Sequence, residues 1–475
     1  MTGQPKPVNV RASPVEALAP GLERYRPCYF LTLTVENVRC FGEKQTLDLS
    51  DGHGCPARWT VLLGDNGVGK TTLLECLALM QPLPGVNPRT GGTAGVPRFG
   101  VPVHGIPNAA RYRRCGTTRL ELSCEAYCGE ALSRATGAGE KQGLSVRVAY
   151  GDRDPKVEAQ GLFPYERIGG LVCYGYGATR RPGVPRLSAN GSDDSCASLF
   201  SDEGQLRSAE EWLLRADYKA LSEAERREGD RERSVRDTIV GMLVEVLPDV
   251  SGVRFQDIGE SVPQFICEAE TPDGWVPLSA LSLGYRSMIA WTVDLASRLF
   301  DRYTESSDPL AEPAIALLDE VDLHLHPKWQ RSLMQFLTER FTNTQFIVTA
   351  HSPLVVQAAE GANIAVLRRE GDHVVIDNNP TAVRGWRIDQ VLTSDLFGLE
   401  SARPPRLDAA LAERKELLSK GTLTDTDRVR LAELEKEIGE LPTGETPEDI
   451  EAMDIIRRAA AELKQRGAGH NDPHP

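Results

Sequence analysis

Residues 60–72 read TVLLGDNGVGKTT, and this stretch decides the fold. Four residues that suit a buried strand run straight into a glycine-rich loop, and the apolar residues Leu73, Leu74 and Leu77 then predict a helix. A strand, a glycine-rich loop and a helix in this order are typical of a Walker A phosphate-binding loop. The glycines allow backbone N–H groups and the helix N-terminus to face an anion. The alternative is an ordinary glycine-rich turn, which the flanking strand and helix disfavour.

The residues of this loop have the chemistry that ATP and Mg²⁺ require. Lys70 is expected to reach the β- and γ-phosphates, and the Thr71 hydroxyl is expected to ligate Mg²⁺. The residues predicted to bind the nucleotide in this loop are Gly64, Asp65, Asn66, Gly67, Val68, Gly69, Lys70, Thr71 and Thr72.

An apolar run that ends in two adjacent acids lies at residues 314–320. Such a run predicts a buried parallel strand with carboxylates at its end. Asp319 is expected to hold Mg²⁺ through Thr71 and water, and Glu320 is expected to act as the general base. The alternative is two acids at the exposed end of a strand, which is a common arrangement.

Two further segments end or begin regular structure with polar residues. Residues 345–353, QFIVTAHSP, predict a strand that ends at His351, whose imidazole could sense or stabilise the γ-phosphate; the alternative is a histidine with no role. Residues 278–288, LSALSLGYRSM, place Ser282 and Gly284 at the start of a long apolar helix, where hydroxyl and N–H groups can face an anion. A simple N-cap explains Ser282 equally well.

The composition is that of an ordinary soluble globular protein, since 40% of the 475 residues are hydrophobic and 26% are charged. This length leaves room for two or three domains or one large domain with insertions. The net charge of −14 disfavours nucleic acid, so contact with DNA would need a local basic patch. Two arginine clusters are candidates for such a patch, with solvated or acid-paired arginines as the alternative: Arg111, Arg113, Arg114 and Arg119, then Arg180, Arg181 and Arg186.

The cysteines and the apolar runs bear on compartment and membrane. No apolar run approaches the roughly 18 residues that a membrane helix needs, which predicts no membrane contact. Ten cysteines are scattered singly, which disfavours a zinc site and indicates reduced thiols in a cytoplasmic protein.

The rest of the chain predicts strands around the loop and helices towards the C-terminus. The predicted strands lie near residues 29–41, 46–49, 118–122, 144–148, 171–174, 253–255 and 265–267, and residues 82–107 predict a long surface loop. The predicted helices lie near residues 208–247, 329–341, 405–419, 425–440 and 447–466, and residues 279–300 predict a loop that enters a long helix. In the C-terminal helices Leu431, Leu434, Ile438 and Leu441 keep heptad spacing, and this stripe is either core or a docking surface.

Together these motifs resemble ABC-type ATPase heads of the branch that includes SMC proteins and the RecF-like and OLD-like ATPases. The resemblance rests on LTVENVRCFGEKQTLDL at 33–49, DEVDLHLHPKWQ at 319–330 and VTAHSP at 348–353, and it covers most of residues 29–400. Within this branch the sequence is most similar to stand-alone AAA-family ATP-binding proteins of bacterial defence loci, such as the Septu ATPase.

The resemblance implies an α/β P-loop NTPase fold with an ABC-type head, in which a mixed sheet is joined by an antiparallel sub-sheet, a helical insertion and C-terminal helices. The implied domains are a flexible leader at 1–27, the ATPase head at 28–400 with the insertion at about 205–248, and a helical segment at 401–475.

The resemblance also implies that two heads pack head to tail and enclose two ATP molecules. Ser282 and Gly284 of one subunit would complete the site that the glycine-rich loop forms in the other. Asp322 would occupy the D-loop, and Arg39 would lie near the nucleotide.

Some residues depart from the family pattern. The signature is LSLGYR in place of the LSGGQ of transporters, and YGYGATR at 174–180 stands where a Q-loop glutamine would be sought. No sustained heptads lie between the Walker A loop and the signature, which excludes a long SMC-type coiled coil. No strand ending in paired acids follows His351, which disfavours an OLD-type nuclease domain.

The sequence therefore predicts an ATP-hydrolysing, Mg²⁺-dependent switch that works as a homodimer or higher oligomer. Its expected setting is anti-phage defence or DNA maintenance with a nuclease or toxin partner, and DNA is a further candidate partner. One alternative is the ATPase subunit of a membrane transporter, which the signature wording disfavours. Another is a scaffold that binds ATP without hydrolysis, which Glu320 disfavours.

Overall fold

The computed structural model describes most of the chain between residues 25 and 438. The described ranges are 25–86, 93–100, 109–137, 139–149, 156–160, 165–183, 194–222, 227–257, 265–359, 361–380, 386–394, 396–399, 405–419 and 424–438. Nearly all of the predicted leader and the whole helix predicted at 447–466 lie outside these ranges. The chain divides into two compact units, residues 1–398 and 399–475.

The first unit contains both strands and helices, and two helices form the described part of the second. The strands are β1 (Cys28–Glu36), β2 (Gln45–Asp48), β3 (Trp59–Gly64), β4 (Pro82–Val86), β5 (Thr93–Pro97), β6 (Arg119–Cys128), β7 (Glu140–Ala149), β8 (Lys156–Gln160), β9 (Cys173–Tyr176), β10 (Gly252–Asp257), β11 (Phe265–Thr271), β12 (Gly274–Pro277), β13 (Ala314–Leu318), β14 (Thr344–Thr349), β15 (Asn363–Glu370) and β16 (His373–Asp377). The helices are α1 (Lys70–Met80), α2 (Tyr165–Ile168), α3 (Ala197–Phe200), α4 (Ala209–Ser222), α5 (Arg227–Val246), α6 (Leu283–Arg302), α7 (Pro327–Arg340), α8 (Pro353–Ala358), α9 (Ile388–Leu392), α10 (Pro405–Ser419) and α11 (Asp425–Ile438).

The strand that leads into the glycine-rich loop lies inside a six-stranded sheet of order β16-β15-β3-β14-β13-β9. All neighbouring pairs except β15 and β16 are parallel. The carboxyl ends of β3, β9, β13 and β14 therefore share one edge of the sheet, where parallel α/β folds bind ligands.

Both faces of this sheet are buried, which explains why its strands are continuously apolar. Leu62, Leu317 and Ile347 lie in one hydrophobic core with helix α1, whereas Leu63 and Val348 lie in the core on the opposite face. Successive side chains of a strand point to opposite faces, so each strand supplies both cores. The prediction of parallel strands at 314–318 and 345–350 is confirmed.

The second sheet is antiparallel and has the order β2-β1-β6-β7-β8. In β6 and β7 the buried residues alternate with more exposed ones, as the sequence predicts for these two strands. A third sheet, β10-β11-β12, contains the antiparallel pair predicted near residues 253–267. The mixed sheet with an antiparallel sub-sheet confirms the predicted fold class.

Helices α4 and α5 form the predicted helical insertion, and they bury Leu213, Ile239 and Leu243. Helix α6 contributes to the same core, with Trp291 wholly buried. Within the described residues no helix is long and apolar enough to cross a membrane.

Four strand segments differ from the sequence predictions. The loop predicted at 82–107 contains the antiparallel hairpin β4–β5, in which Pro82, Pro84, Gly85 and Gly95 hide the strand pattern. The hairpin β15–β16 and the edge strands β8 and β12 were not predicted. Proline has no N–H group to donate to a neighbouring strand. It is therefore tolerated on short ribbons and edge strands, where one side of the strand has no neighbour.

The described part of the second unit contains two helices, α10 and α11, that pack around their own small core. Leu431 and Leu434 of α11 are buried against Ala410 and Leu417 of α10, and Ile438 packs beside them. The hypothesis that the leucine stripe is a docking surface is therefore wrong for Leu431 and Leu434, whose side chains are covered inside this unit. The last member of the stripe, at position 441, lies outside the described residues.

Candidate nucleotide-binding site

The glycine-rich loop joins β3 to α1 at the carboxyl edge of the central sheet. The ammonium group of Lys70 donates to the carbonyl of Gly64 at 2.7 Å and to that of Asp65 at 2.9 Å, so the loop closes around its own lysine. Burial lowers the pKa of Lys70, while the nearby carboxylates of Asp319 and Glu320 act in the opposite direction. Cation and carboxylates are thus already assembled at one place.

The loop turns into the helix at Gly69, whose φ of 94° is left-handed. A Cβ atom at this position would lie 2.5 Å from the Cys40 sulfur and 2.9 Å from the Phe41 ring. Only glycine satisfies both the backbone conformation and the close approach of the segment after β1. This packing fixes the first turn of α1 and with it Lys70 and Thr71.

A chain of short hydrogen bonds joins the loop to the acid pair, Asp319 and Glu320. The Thr71 hydroxyl donates to Asp319 Oδ2 at 2.8 Å, and the Thr349 hydroxyl donates to Asp319 Oδ1 at 2.7 Å. Thr349 Oγ1 also accepts from the backbone N–H of Glu320 at 2.7 Å. Both carboxylate oxygens of Asp319 are therefore oriented, one from β14 and one from α1.

These residues fit a nucleotide and Mg²⁺. The Thr71 hydroxyl and the Asp319 carboxylate are hard oxygen donors, which Mg²⁺ prefers, and they already lie within hydrogen-bonding distance. Lys70 supplies a positive charge at the loop, and the start of α1 supplies N–H groups suited to an anion. The site could hold the metal through Thr71 and Asp319 and the phosphates through the loop.

A buried arginine contacts the backbone of the acid pair. Arg180, in the turn after β9, is 2% exposed and donates to the backbone carbonyls of Asp319 and Glu320. The interpretation of Arg180 as part of a surface basic cluster is therefore wrong. Arg186, assigned to the same cluster, lies outside the described residues.

The segment after the acid pair is tied to the end of β14. The Asp322 carboxylate accepts from the backbone N–H of His351 at 3.1 Å. Gln330 donates to the Asp322 carbonyl at 3.3 Å and accepts from Ser352 at 2.6 Å. His351 itself is exposed and lies beside Asp322 at the edge of the sheet.

The signature segment, residues 278–288, starts helix α6. Ser282 is the N-cap residue, as the N-cap alternative predicts, but it is exposed and its hydroxyl makes no capping hydrogen bond. Gly284 is buried, and a Cβ atom there would lie 2.4 Å from the carbonyl oxygen of His324. The start of α6 is thus packed directly on the segment that follows the acid pair.

Arg39 lies beside the first turns of α1. Its guanidinium donates to the Thr72 hydroxyl at 3.0 Å, pairs with Glu75 at 2.7 Å and stacks 4.5 Å from the centre of the Tyr112 ring. Burial raises the pKa of Glu75, and Arg39 opposes this rise. The structure therefore brings Arg39 next to a predicted loop residue.

The first arginine cluster is partly neutralised. Arg114 pairs with Asp372 at 2.8 Å, and Arg119 lies 3.6 Å from Glu36. Arg111 is exposed. Arg114 and Arg119 therefore pair with acids, which was the alternative to DNA contact.

Comparison with known protein families gives two matches that fall on the site. Residues 200–357 match the family described as "AAA domain, putative AbiEii toxin, Type IV TA system", and residues 32–97 match a second AAA domain family. The first match includes the signature segment and the acid pair, and the second includes the glycine-rich loop. The chain is therefore similar to AAA-domain families in both of these segments.

Named relatives share part of the chain. It is 36% identical over 188 residues to the "Retron Ec83 probable ATPase" of Escherichia coli, which covers 38% of this chain and 33% of the relative. It is 34% identical over 128 residues to the "Septu protein PtuA" of Bacillus mycoides (strain KBAB4), covering 27% of this chain and 18% of the relative. The predicted resemblance to ATPases of this branch is confirmed, although the matches span well under half of each relative's length.

Among solved structures, the SmcHead bound to the C-winged helix domain of ScpA superposes with a TM-score of 0.44 and 14% identity. The superposition covers 74% of this chain and 97% of that chain.

Two residues of the site were missed by sequence reasoning. Thr349 lies inside the quoted segment 345–353, two positions before His351, and its place at the end of a core strand beside the acid strand was a usable signal. Arg180 had no such signal, because its bonds go to backbone carbonyls 139 and 140 positions away.

Proposed function

We propose that the protein binds ATP with Mg²⁺ and hydrolyses it. The observation that carries this proposal is the chain of hydrogen bonds from Thr71 through Asp319 and Thr349 to Glu320. It places a hydroxyl and a carboxylate suited to Mg²⁺ beside the backbone of Glu320, whose carboxylate is suited to proton transfer. A site that bound ATP without hydrolysing it would not need Glu320 as a general base.

Each residue has a distinct task in this proposal. Lys70 leaves its contacts with the loop carbonyls and meets the β- and γ-phosphates, while Thr71 and Asp319 hold the metal. Mg²⁺, when bound, neutralises phosphate charge. Glu320 orients a water molecule and accepts its proton, and His351 lies at the neighbouring strand end, where it can contact the γ-phosphate.

We further propose that the active unit is a homodimer with two shared sites. The exposed Ser282 hydroxyl has no capping bond in its own chain, and the neighbouring Leu283 is 52% exposed although it is apolar. Both features suit a surface that meets another subunit. In the dimer Ser282 and Gly284 face the nucleotide held by the partner's loop, with Arg39 beside that loop.

We place this switch in the cytoplasm and in bacterial defence against phage, acting with a nuclease or toxin partner. Similarity to retron and Septu proteins supports this setting, as does a family whose description includes a toxin. The ten cysteines are free thiols, which suits a reducing compartment.

Phosphate release tests the proposed activity. The wild-type protein should release phosphate from ATP with Mg²⁺ and stop when EDTA removes the metal. Lys70→Ala should bind a fluorescent ATP analogue weakly and release no phosphate, whereas Lys141→Ala, an exposed lysine of β7, should behave as the wild type. Wild-type protein that binds ATP and releases no phosphate would leave the scaffold alternative in place.

A further inference from the structure

Two buried arginines of the first unit are held in different ways. Arg298 of α6 is 8% exposed and donates to the buried Asp294 carboxylate at 2.8 Å. Arg180 is 2% exposed, but the hydrogen bonds described for its side chain go to the carbonyls of Asp319 and Glu320. A buried cation is usually paired with a carboxylate, as Arg298 is. Arg180 is an exception that calls for a reason.

The cost of burying Arg180 is visible in its chemistry. Its Nε–H is buried and has no hydrogen-bond partner among the described residues. Burial lowers the pKa of Arg180 to about 10, although the nearby acid groups oppose this shift. Burying Arg180 is unfavourable, and its side chain contacts both members of the acid pair. We therefore expect it to stabilise the backbone conformation of those two residues.

The backbone that Arg180 contacts is itself strained. Glu320 has a φ of 48° and Arg180 a φ of 36°, both in the left-handed region that residues with a side chain rarely adopt. Such a conformation persists only when its surroundings fix it. Arg180 holds the carbonyl of Glu320 at 2.8 Å, and Thr349 holds its N–H at 2.7 Å.

The same turn fixes the preceding residue. The backbone N–H of Asp319 donates to the carbonyl of Tyr176, the last residue of β9, at 2.8 Å. Arg180, four residues further along, then takes the Asp319 carbonyl. The end of β9 and its turn thus hold the peptide groups on both sides of Asp319.

We propose that Arg180 is the positioning residue of the acid pair: one terminal nitrogen of its guanidinium, Nη2, holds the two carbonyls so that the Asp319 carboxylate meets the metal and Glu320 keeps its left-handed conformation. This proposal rests on the proposed ATPase function. It assigns a role to the turn at 174–180, where a Q-loop glutamine is absent. Arg180 acts through Asp319 and Glu320 and is not expected to touch the nucleotide.

The test is Arg180→Lys, with Arg298→Lys as the matched control. Lysine keeps the charge, but its ammonium ends a shorter side chain and does not reach the position from which Arg180 Nη2 contacts both carbonyls. Because partners behind a metal ligand typically contribute 10–100-fold, Arg180→Lys should lower kcat by roughly that factor and leave affinity for a fluorescent ATP analogue unchanged. Arg298→Lys should lower the melting temperature without a comparable loss of kcat.

A second measurement does not depend on hydrolysis. Electron paramagnetic resonance can measure the affinity for Mn²⁺ in the presence of a non-hydrolysable ATP analogue. Arg180→Lys should weaken Mn²⁺ binding by roughly 10-fold, and Arg298→Lys should not. A wild type that binds Mn²⁺ and nucleotide but never releases phosphate would refute the proposed hydrolysis, while Mn²⁺ affinity would still decide the role of Arg180.

Three results would overturn the positioning role. The first is Arg180→Lys protein with wild-type kcat and Mn²⁺ affinity. The second is an equal loss of both quantities in Arg298→Lys. The third is Arg180→Lys protein that fails to fold under conditions in which Arg298→Lys folds, since Arg180 would then be a structural residue of the core.

Discussion

The two halves of the candidate site are built differently. Around the glycine-rich loop and the acid pair, every polar group that we assign to the metal is already bonded within the chain, as Thr71 and Thr349 are to Asp319. At the signature segment, the Ser282 hydroxyl has no capping bond and Leu283 is exposed. The first half is preorganised by its own fold. The second half has the features of a surface that is completed by another molecule.

The largest effect should come from mixing two inactive variants. Lys70→Ala destroys the closed half, which is the glycine-rich loop with the acid pair. Ser282→Arg destroys the open half, which is the signature segment, so each homodimer should be inactive. A mixed dimer contains one intact composite site, and random mixing should recover roughly a quarter of the wild-type phosphate release. Mixed dimers that form and remain inactive would show that the halves of one chain serve the same nucleotide.

The closed half can be tested through Thr349. Thr349→Val removes the hydroxyl that orients both Asp319 and Glu320, and turnover should fall by roughly 10–100-fold. Thr344→Val, on the same strand, is the matched control, because the Thr344 hydroxyl is buried without a partner in the described structure. Equal turnover in the two variants, measured by phosphate release, would mean that preorganisation through Thr349 is unimportant.

The open half should respond to Ser282→Ala with a change in activity and none in stability. Loss of a hydrogen bond to a charged phosphate costs about 1.5–3 kcal/mol, so turnover should fall by about 10-fold or more. The free energy of unfolding should stay within about 0.5 kcal/mol, because the hydroxyl caps nothing in its own chain. A clear loss of stability in urea melts would instead place Ser282 in the fold of its own subunit.

The smallest effect concerns the packing contact between the signature segment and the segment that follows the acid pair. Gly284→Ala pushes a methyl group towards the His324 carbonyl, and overpacking of this kind costs about 1–3 kcal/mol of unfolding free energy. Gly241→Ala in α5 meets no atom within 4 Å and should raise stability by about 0.5–1 kcal/mol. Urea melts that rank the two variants the other way would contradict the tight packing at Gly284.

The strands beneath the site were predictable because their sequences report their burial directly. Residues 314–318 and 345–350 are apolar on both faces, and β6 and β7 alternate, so period and burial agree in each case. The hairpin β4–β5 was hidden by its prolines and glycines. The hairpin β15–β16 did carry a signal, since the two-residue Gly371–Asp372 turn lies between two apolar runs at 364–367 and 374–376.

The site was predictable to the extent that its chemistry follows chain order. Lys70, Thr71, Asp319 and Glu320 were assigned from motifs, and the structure brings Thr71 and Asp319 to 2.8 Å. Arg180 was not assigned, because its hydrogen bonds go to backbone carbonyls that every residue type carries. Long-range bonds to the backbone leave no pattern in the residues they join.

The most direct measurement of the central claim is phosphate release by Glu320→Gln, with Glu339→Gln, an exposed residue of α7, as its control. Glutamine removes the base and keeps Asp319 and Thr71, so binding of ATP and Mn²⁺ should persist while turnover falls by roughly 10²–10⁴-fold. Glu339→Gln should match the wild type. Wild-type turnover in Glu320→Gln would contradict the account, because a site without its base would then hydrolyse ATP as well as the intact one.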